Sequence, residues 1–310
     1  MTAHLHKNLC YLMGIVLLIT FAGTAKAQSK MTIKTALSQK QVIIGMTGSD
    51  EATIDWGDGK SDHVLLQSET KYYHDYDVDL SDDPYPWVEN MPSYTITISE
   101  EHVTGLYLEG CLDSPGNSYD DNDRDIRCLE LDVSKNIALM KLNCWDTALT
   151  TLDVSKNTAL ITLDCGFNSL TDIDVSNNTA LKDLSCEENL MENLDISKNI
   201  LLQKLDCSHN QLTNLDVSNH TELYFLSCDY NKLTNLDVSH NTELQDLYCS
   251  HNDLSEIALN MLFGTLPLYK RITHEGTDGG GYRYINAENN PGAKSCDTSI
   301  AENKEWEVVR

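Results

Sequence analysis

Residues 202–222 read LQKLDCSHNQLTNLDVSNHTE, and residues 223–243 read LYFLSCDYNKLTNLDVSHNTE. The second segment is the first displaced by 21 residues. Leu202, Leu205, Cys207, Asn210 and Leu212 return as Leu223, Leu226, Cys228, Asn231 and Leu233. Upstream the same places are held by Leu160, Leu163, Cys165, Asn168 and Leu170. The cysteines mark the period most cleanly, as Cys144, Cys165, Cys186, Cys207, Cys228 and Cys249.

Self-similarity of the form L-x-x-L-x-C-x-x-N-x-L is the signature of a leucine-rich repeat solenoid, with cysteine at the third apolar place. Alternation across x-L-x-C-x makes a short strand whose leucine and cysteine face inward. One repeat cannot bury its own apolar stripe, so neighbouring copies stack into a parallel sheet and cover it. Asn168, Asn189, Asn210, Asn231 and Asn252 turn the chain out of the strand, and their amides can bond the backbone of adjacent turns as a buried ladder. A period of 21 residues leaves little length for a helix on the convex side, where extended or 3₁₀ structure is expected. The column Asp153, Asp174, Asp195, Asp216 and Asp237 beside the following serines reads as local hydrogen bonding at convex turns.

The 21-residue repeat with an inward cysteine column resembles the internalin family of bacterial surface proteins, and within it the cysteine-ladder members. The likeness runs over residues 106–290. It implies a curved solenoid that holds a ligand on its concave sheet, without naming that ligand. This chain departs from the pattern in places. Thr147 stands where the first full copy should have asparagine, Met191 replaces a leucine, and His220 replaces the second-turn asparagine. After Leu106-Tyr107-Leu108, Cys111 occupies the asparagine place; residues 113–127 are inserted, and Cys128 and Leu131 are expected to resume the pattern.

The ends read differently. Residues 10–22 (CYLMGIVLLITFA) form an apolar run before Ala25-Lys26-Ala27, the pattern of a secretory signal peptide cleaved after Ala27. Short strands are expected at 32–35, 41–46, 52–56, 63–66 and 94–99. With the turn Asp55-Trp56-Gly57-Asp58-Gly59 and the segments 73–76 and 94–98, this region resembles the PKD-type, immunoglobulin-like β-sandwich. At the far end a helix is expected over 257–266, a last repeat strand at 284–290, and a capping helix over 297–306. That ending resembles secreted repeat proteins of Bacteroidetes-type gut bacteria. The organisation is therefore a leader over 1–27, a β domain over 28–102, repeats over 103–256, and a closing repeat with its cap over 257–310.

Composition narrows the function. Lys and Arg number 22 against 48 Asp and Glu, a net charge of -26. A phosphate backbone repels such a chain, which excludes nucleic acid, and an anionic membrane surface is equally disfavoured. No segment after the leader could span a bilayer, so no membrane insertion is expected once it is cleaved. The ladder cysteines, Cys144 to Cys249, are read as buried free thiols. Neighbouring strands hold parallel Cβ atoms ~4.8 Å apart, whereas a disulfide prefers ~3.8 Å. Cys111 and Cys128 flank the insertion and could bridge it. Asp120, Asp121, Asp123 and Asp125 within it are read as a solvated acidic loop rather than a calcium site. No nucleophile, metal-protease or phosphate-loop motif occurs, so no enzyme, cofactor or metal is expected.

Function is expected on the concave face. Alternation places Trp145, Asp164, Phe167, Asp206, Phe225, Asp229, Tyr230, Asp246 and Tyr248 outward. The interior is already filled by Leu and Cys, and exposed rings beside acids are what a binding surface uses. The partner expected is a protein, preferably with basic patches, or a glycan, met after export, whether the chain is secreted, periplasmic or on the cell surface. A structural spacer of the cell envelope is the alternative.

Overall fold

The computed structural model describes residues 30–37, 41–66, 70–76, 93–99, 103–108, 126–268 and 283–310. The chain divides into two compact units, Met1–Asn178 and Thr179–Arg310. Both carry parallel-strand leucine-rich repeats of about 21 residues with little helix.

The first unit begins with strands β1 (Lys30–Leu37), β2 (Gln41–Gly48), β3 (Asp50–Asp55), β4 (Ser61–Leu66), β5 (Thr70–Asp75) and β6 (Ser93–Ser99). They continue with β7 (Val103–Tyr107), β8 (Ile126–Leu131), β9 (Lys141–Asn143) and β10 (Thr162–Asp164). One antiparallel sheet has the order β4-β3-β6-β1-β8. In the other, β2 pairs antiparallel with β5 on one side and β7 on the other, and β7 then pairs parallel with β9 and β9 with β10. The strand that opens the repeats thus also completes a sheet of the N-terminal region. Apolar side chains line both sheets, with Val42, Ile44, Met46, Ile54, Ile96 and Ile98 almost wholly buried.

The turn between β3 and β4 is held by its own polar groups. Asp55 accepts from the Gly57 amide, Asp58 accepts from the Lys60 amide, and the Trp56 indole donates to Asp62 at 2.9 Å. Gly57 has φ +78°, and a Cβ there would lie 2.5 Å from the Thr95 carbonyl, so only glycine fits. Buried Trp56 stacks on His74 at 4.7 Å, and Tyr76 donates to the Trp56 carbonyl. Burial acts to raise the Asp58 carboxyl, but its bonds with His74 and Lys60 outweigh that and hold it low.

Leu131 resumes the repeat, buried at the place that Leu152 holds 21 residues on, with Asp132 bridging Asp153 in parallel and Asn157 donating to the Val133 and Asn136 carbonyls, but Cys128 does not. Strand β8 runs antiparallel to β1, with Cys128 opposite Thr35, and so belongs to the first sheet. Edge strand β1 offers unpaired backbone groups that β8 satisfies. Cys111, the acidic residues 120–125, the leader and the segment 77–92 lie outside the described residues.

The second unit contains β11 (Asp183–Ser185), β12 (Lys204–Asp206), β13 (Phe225–Ser227), β14 (Asp246–Tyr248), β15 (Arg283–Asn286) and β16 (Trp306–Val309). They pair parallel in chain order. Helix α1 (Glu256–Thr265) lies between β14 and β15 in sequence, capped by Ser255 accepting from the Ala258 amide. The capping helix expected over 297–306 is only α2 (Ser299–Glu302), and Trp306 instead enters β16. Its alternating Trp-Glu-Val-Val pattern covers the open edge of β15, which a longer helix would leave unpaired.

The convex side is neither strand nor helix. Each copy makes successive tight turns, such as Asn157 N–H to Val154 O and Leu160 N–H to Asn157 O. Each convex aspartate accepts from the serine amide two residues on, at 2.8–2.9 Å from Asp153 to Asp237.

Candidate functional site

The candidate surface rests on columns running from repeat to repeat. Inside are leucine and cysteine. The ladder residues Cys144, Cys165, Cys186, Cys207, Cys228 and Cys249 are all buried thiols outside any disulfide, and so is Cys296. Cys186 is wholly buried, and its amide donates to the Asp206 carbonyl of the next repeat at 2.8 Å. The Cys207 thiol lies 3.4 Å from the Ser227 carbonyl and the Cys228 thiol 3.3 Å from that of Tyr248, each bonding one strand onward. Burial pushes the thiols of Cys207, Cys228 and Cys249 far up, so they stay neutral.

The asparagine ladder sits where the chain leaves the strand. Asn189 donates to the Cys186 carbonyl of its own repeat, and Asn210 donates to the carbonyls of both Cys186 and Cys207. Asn231 donates to the carbonyls of Cys207, Cys228 and Asp229 and accepts from the Leu212 amide. Asn252 repeats the pattern, and Asn290 adds a last rung by donating to Cys249 and Ala287. In the first unit Asn168 does the same, and Thr147 fits the asparagine place by donating to the Cys144 carbonyl at 2.7 Å. A second asparagine column runs under the convex turns. Asn157 donates to Val133 and Asn136, and Asn241 to Val217 and His220. In the sequence that column stands out through its exception, His220.

The outward positions differ from rung to rung. In the first unit Trp145 and Phe167 lie with ring centres 4.7 Å apart. Asp164 accepts from Asn143 and from the Gly166 amide beneath them. In the second unit Phe225, Tyr248 and Tyr284 form a row, with centres 5.7 Å and 5.4 Å apart. Tyr284 was legible as the partner of Phe225, because it holds the corresponding place in the last repeat strand. Asp206 accepts from both the amide and the hydroxyl of Ser208. Burial, with Asp206 nearby, raises the Asp229 carboxyl against the lowering effect of its bond from the Ser250 amide. Burial also raises Asp246.

Tyr230 is not on the strand face. It lies in the turn after β13 with φ +51°, as do Phe167, His209 and His251 at φ +50 to +51° in their own repeats. This left-handed turn stands its ring between two histidines. The centres are 4.1 Å from His209 and 3.9 Å from His251, and the planes differ by 15° and 10°. Glu188 closes one end of this stack through His209 at 3.1 Å. Strict alternation would turn this column inward with the cysteines two places before it; the rings face out because the strand has ended and the backbone has turned to positive φ.

Among the described residues no group of three or more His, Cys, Asp or Glu could hold a metal, and no helix is long and apolar enough to cross a membrane.

No family model matches this chain, and no curated protein does. Among solved structures, it is similar to a leucine-rich repeat protein of Leptospira interrogans at 20% identity and a TM-score of 0.50, over 60% of this chain and 47% of that one. It is also similar to the functional domain of InlJ from Listeria monocytogenes, described as including a cysteine ladder. That match has 35% identity and a TM-score of 0.46, over 57% of this chain and 40% of the other. The chain thus spans less than half the length of either.

Proposed function

We propose that the protein is an exported binding module that holds a protein partner against the outward side chains of its repeat strands and of the turns that follow them. The observation that carries this reading is the contrast between columns. Buried places repeat the same residue type, whereas the outward places carry different rings and acids in each copy. Half-buried rings, with Tyr230 exposed, supply large contact area at little ordering cost in a polar setting, and short, cross-bonded strands keep that surface rigid. The apolar run and A-x-A site support export. The tight Asp-Trp-Gly-Asp-Gly turn supports a PKD-like N-terminal domain that precedes the binding face.

The test is a screen of the purified chain against surface proteins, mucins and glycans, alongside Trp145→Ala/Tyr230→Ala. A saturable protein ligand lost in that folded double variant is the expected result. Full retention of binding by the variant would refute the assignment, and a ligand found only among the glycans would replace the partner class.

A further inference from the structure

The face from β13 to β16 has a composition unlike the rest of the second unit. Register sets Phe225, Asp246, Tyr284 and Glu307 side by side, with Tyr248 beside Ser227 and Asn286 in the next column. Three rings follow one another at 5.7 Å and 5.4 Å. The Asp229 carboxylate is held at their margin by the Ser250 amide. It lies close enough to disfavour ionisation of both the Tyr248 and the Tyr284 hydroxyls. Asp246 also bears on Tyr248, and Glu288 and Glu307 bear on Tyr284.

The outward places of β13 to β16 carry no lysine or arginine. Along the outward strand places from β11 to β16 the one base is Lys204, next to Phe225 in register at the far end from Tyr284, and its ammonium stands over the Tyr224 ring. Arg283 belongs to β15 but points inward, bonding the carbonyls of Pro267 and Thr242 and facing Trp306. Neither Asp229 nor Asp246 is in an ion pair with a described residue. Ring faces attract cations, and partly desolvated carboxylates gain more from a cation than exposed ones do.

We propose that the Tyr248–Tyr284 face is a seat for the lysine or arginine side chains of a basic polypeptide segment, with Asp229 and Asp246 as the charge partners. This rests on the reading of the outward face as a partner surface and names the partner's chemistry. A guanidinium fits best, because its planar fork stacks on a ring and pairs with a carboxylate in one pose. The net charge of -26 draws such a segment in, and the rings decide where it settles.

The experiment measures binding of a short fluorescent oligo-arginine peptide to the whole chain at physiological ionic strength, with oligo-glutamate as the blank. Four double variants are compared. Tyr248→Leu/Tyr284→Leu keeps the charge and removes the ring faces. Tyr248→Phe/Tyr284→Phe keeps the faces. Asp229→Asn/Asp246→Asn removes two charges at the seat, and Glu243→Gln/Asp253→Asn removes two exposed charges elsewhere. The Leu and Asn variants at the seat are expected to weaken binding about tenfold, while the Phe pair and the distant pair stay within about twofold of wild type.

Equal weakening by the two charge-removing pairs overturns the seat, because attraction is then only global. Undiminished binding by a folded Leu pair, or loss in the Phe pair, overturns the role of the ring faces. Should the Leu pair not fold, the contrast between the two charge-removing pairs decides. Wild-type chain that ignores oligo-arginine overturns the proposal outright. The outward-face reading is then judged separately by Trp145→Ala/Tyr230→Ala, neither residue being part of the seat.

Discussion

The convex turns and the outward strand face of the second unit share one 21-residue period and use it in opposite ways. On the convex side Asp195, Asp216 and Asp237 each accept from a serine amide at 2.8–2.9 Å, and the turns around them follow one pattern. Across the strand face the corresponding places hold Asp183, Lys204, Phe225, Asp246 and Tyr284. A turn admits few side chains, because its backbone groups need a fixed local partner. An exposed strand position imposes almost no such demand, so its residue type is left to whatever the surface meets. Uniformity therefore marks what the backbone requires, and variety marks places that the backbone leaves open, where the proposed partner surface lies.

Measurements at four places in the repeat can break or sharpen that contrast. The largest effect is expected from Asn231→Ala, which strips three donated bonds and orphans the Leu212 amide. Urea unfolding should show a loss of about 3 kcal/mol. A loss below about 1 kcal/mol would mean that the ladder is not what binds one repeat to the next.

The buried thiols come next. Their folded pKa values lie above the ordinary 9.0, so the unfolded chain releases protons first as pH rises. Stability that is whole below pH 9.0 should then fall above it, by up to about 1.4 kcal/mol per thiol for each pH unit. Comparing wild type with Cys228→Ala between pH 8 and pH 10 isolates one thiol, and equal slopes would contradict its burial as a neutral group. Alkylation followed by mass spectrometry should likewise find these cysteines inert until urea unfolds the chain.

His220 offers a smaller test with the opposite sign. It is fully buried, its Nε2 bonds the Ile196 carbonyl at 3.1 Å, and its Nδ1 has no hydrogen-bond partner. Asn241, one rung later, donates two bonds from the same place. His220→Asn should restore the second bond and raise stability by about 1 kcal/mol. A destabilised variant would show that the imidazole's volume matters more than the missing bond.

The smallest effect is expected at Asp216. Its carboxyl is held low by the hydroxyl and amide of Ser218, so its contribution is present at neutral pH and fades as pH drops through the carboxylate range. Because the site is exposed, Asp216→Ala should cost no more than about 0.5–1 kcal/mol at pH 7. It should also be indistinguishable from wild type in acid, and a difference that persists there would point to packing rather than charge.

Much of this was legible in the residues. The cysteine period gave the repeat, the asparagine spacing the ladder, and the Asp-x-Ser spacing the convex bonds. Other parts were not. Cys128-Leu-Glu-Leu131 has the look of a repeat strand, yet β8 pairs antiparallel with β1 almost a hundred residues away in sequence. Trp306-Glu-Val-Val309 alternates as a strand should, but the apolar and acidic residues before it also satisfy a helix pattern, and the open edge of β15 chose the strand. Tyr230 follows Phe225 by an odd number of places, which strict alternation would turn inward with Leu226 and Cys228, so its outward ring comes from having left the strand.

The sequence by itself determined the period, the inward columns and the strand at each copy's start. These depend on which side chains recur at which spacing, and spacing is local. The tertiary structure decided that β8 crosses to the first sheet and that Tyr230 stands stacked between His209 and His251. It also decided that Asp229 is half-buried beside Tyr248 and Tyr284. Each of those depends on groups a full repeat or more apart meeting through backbone turned to positive φ or through a free strand edge, which no local pattern records.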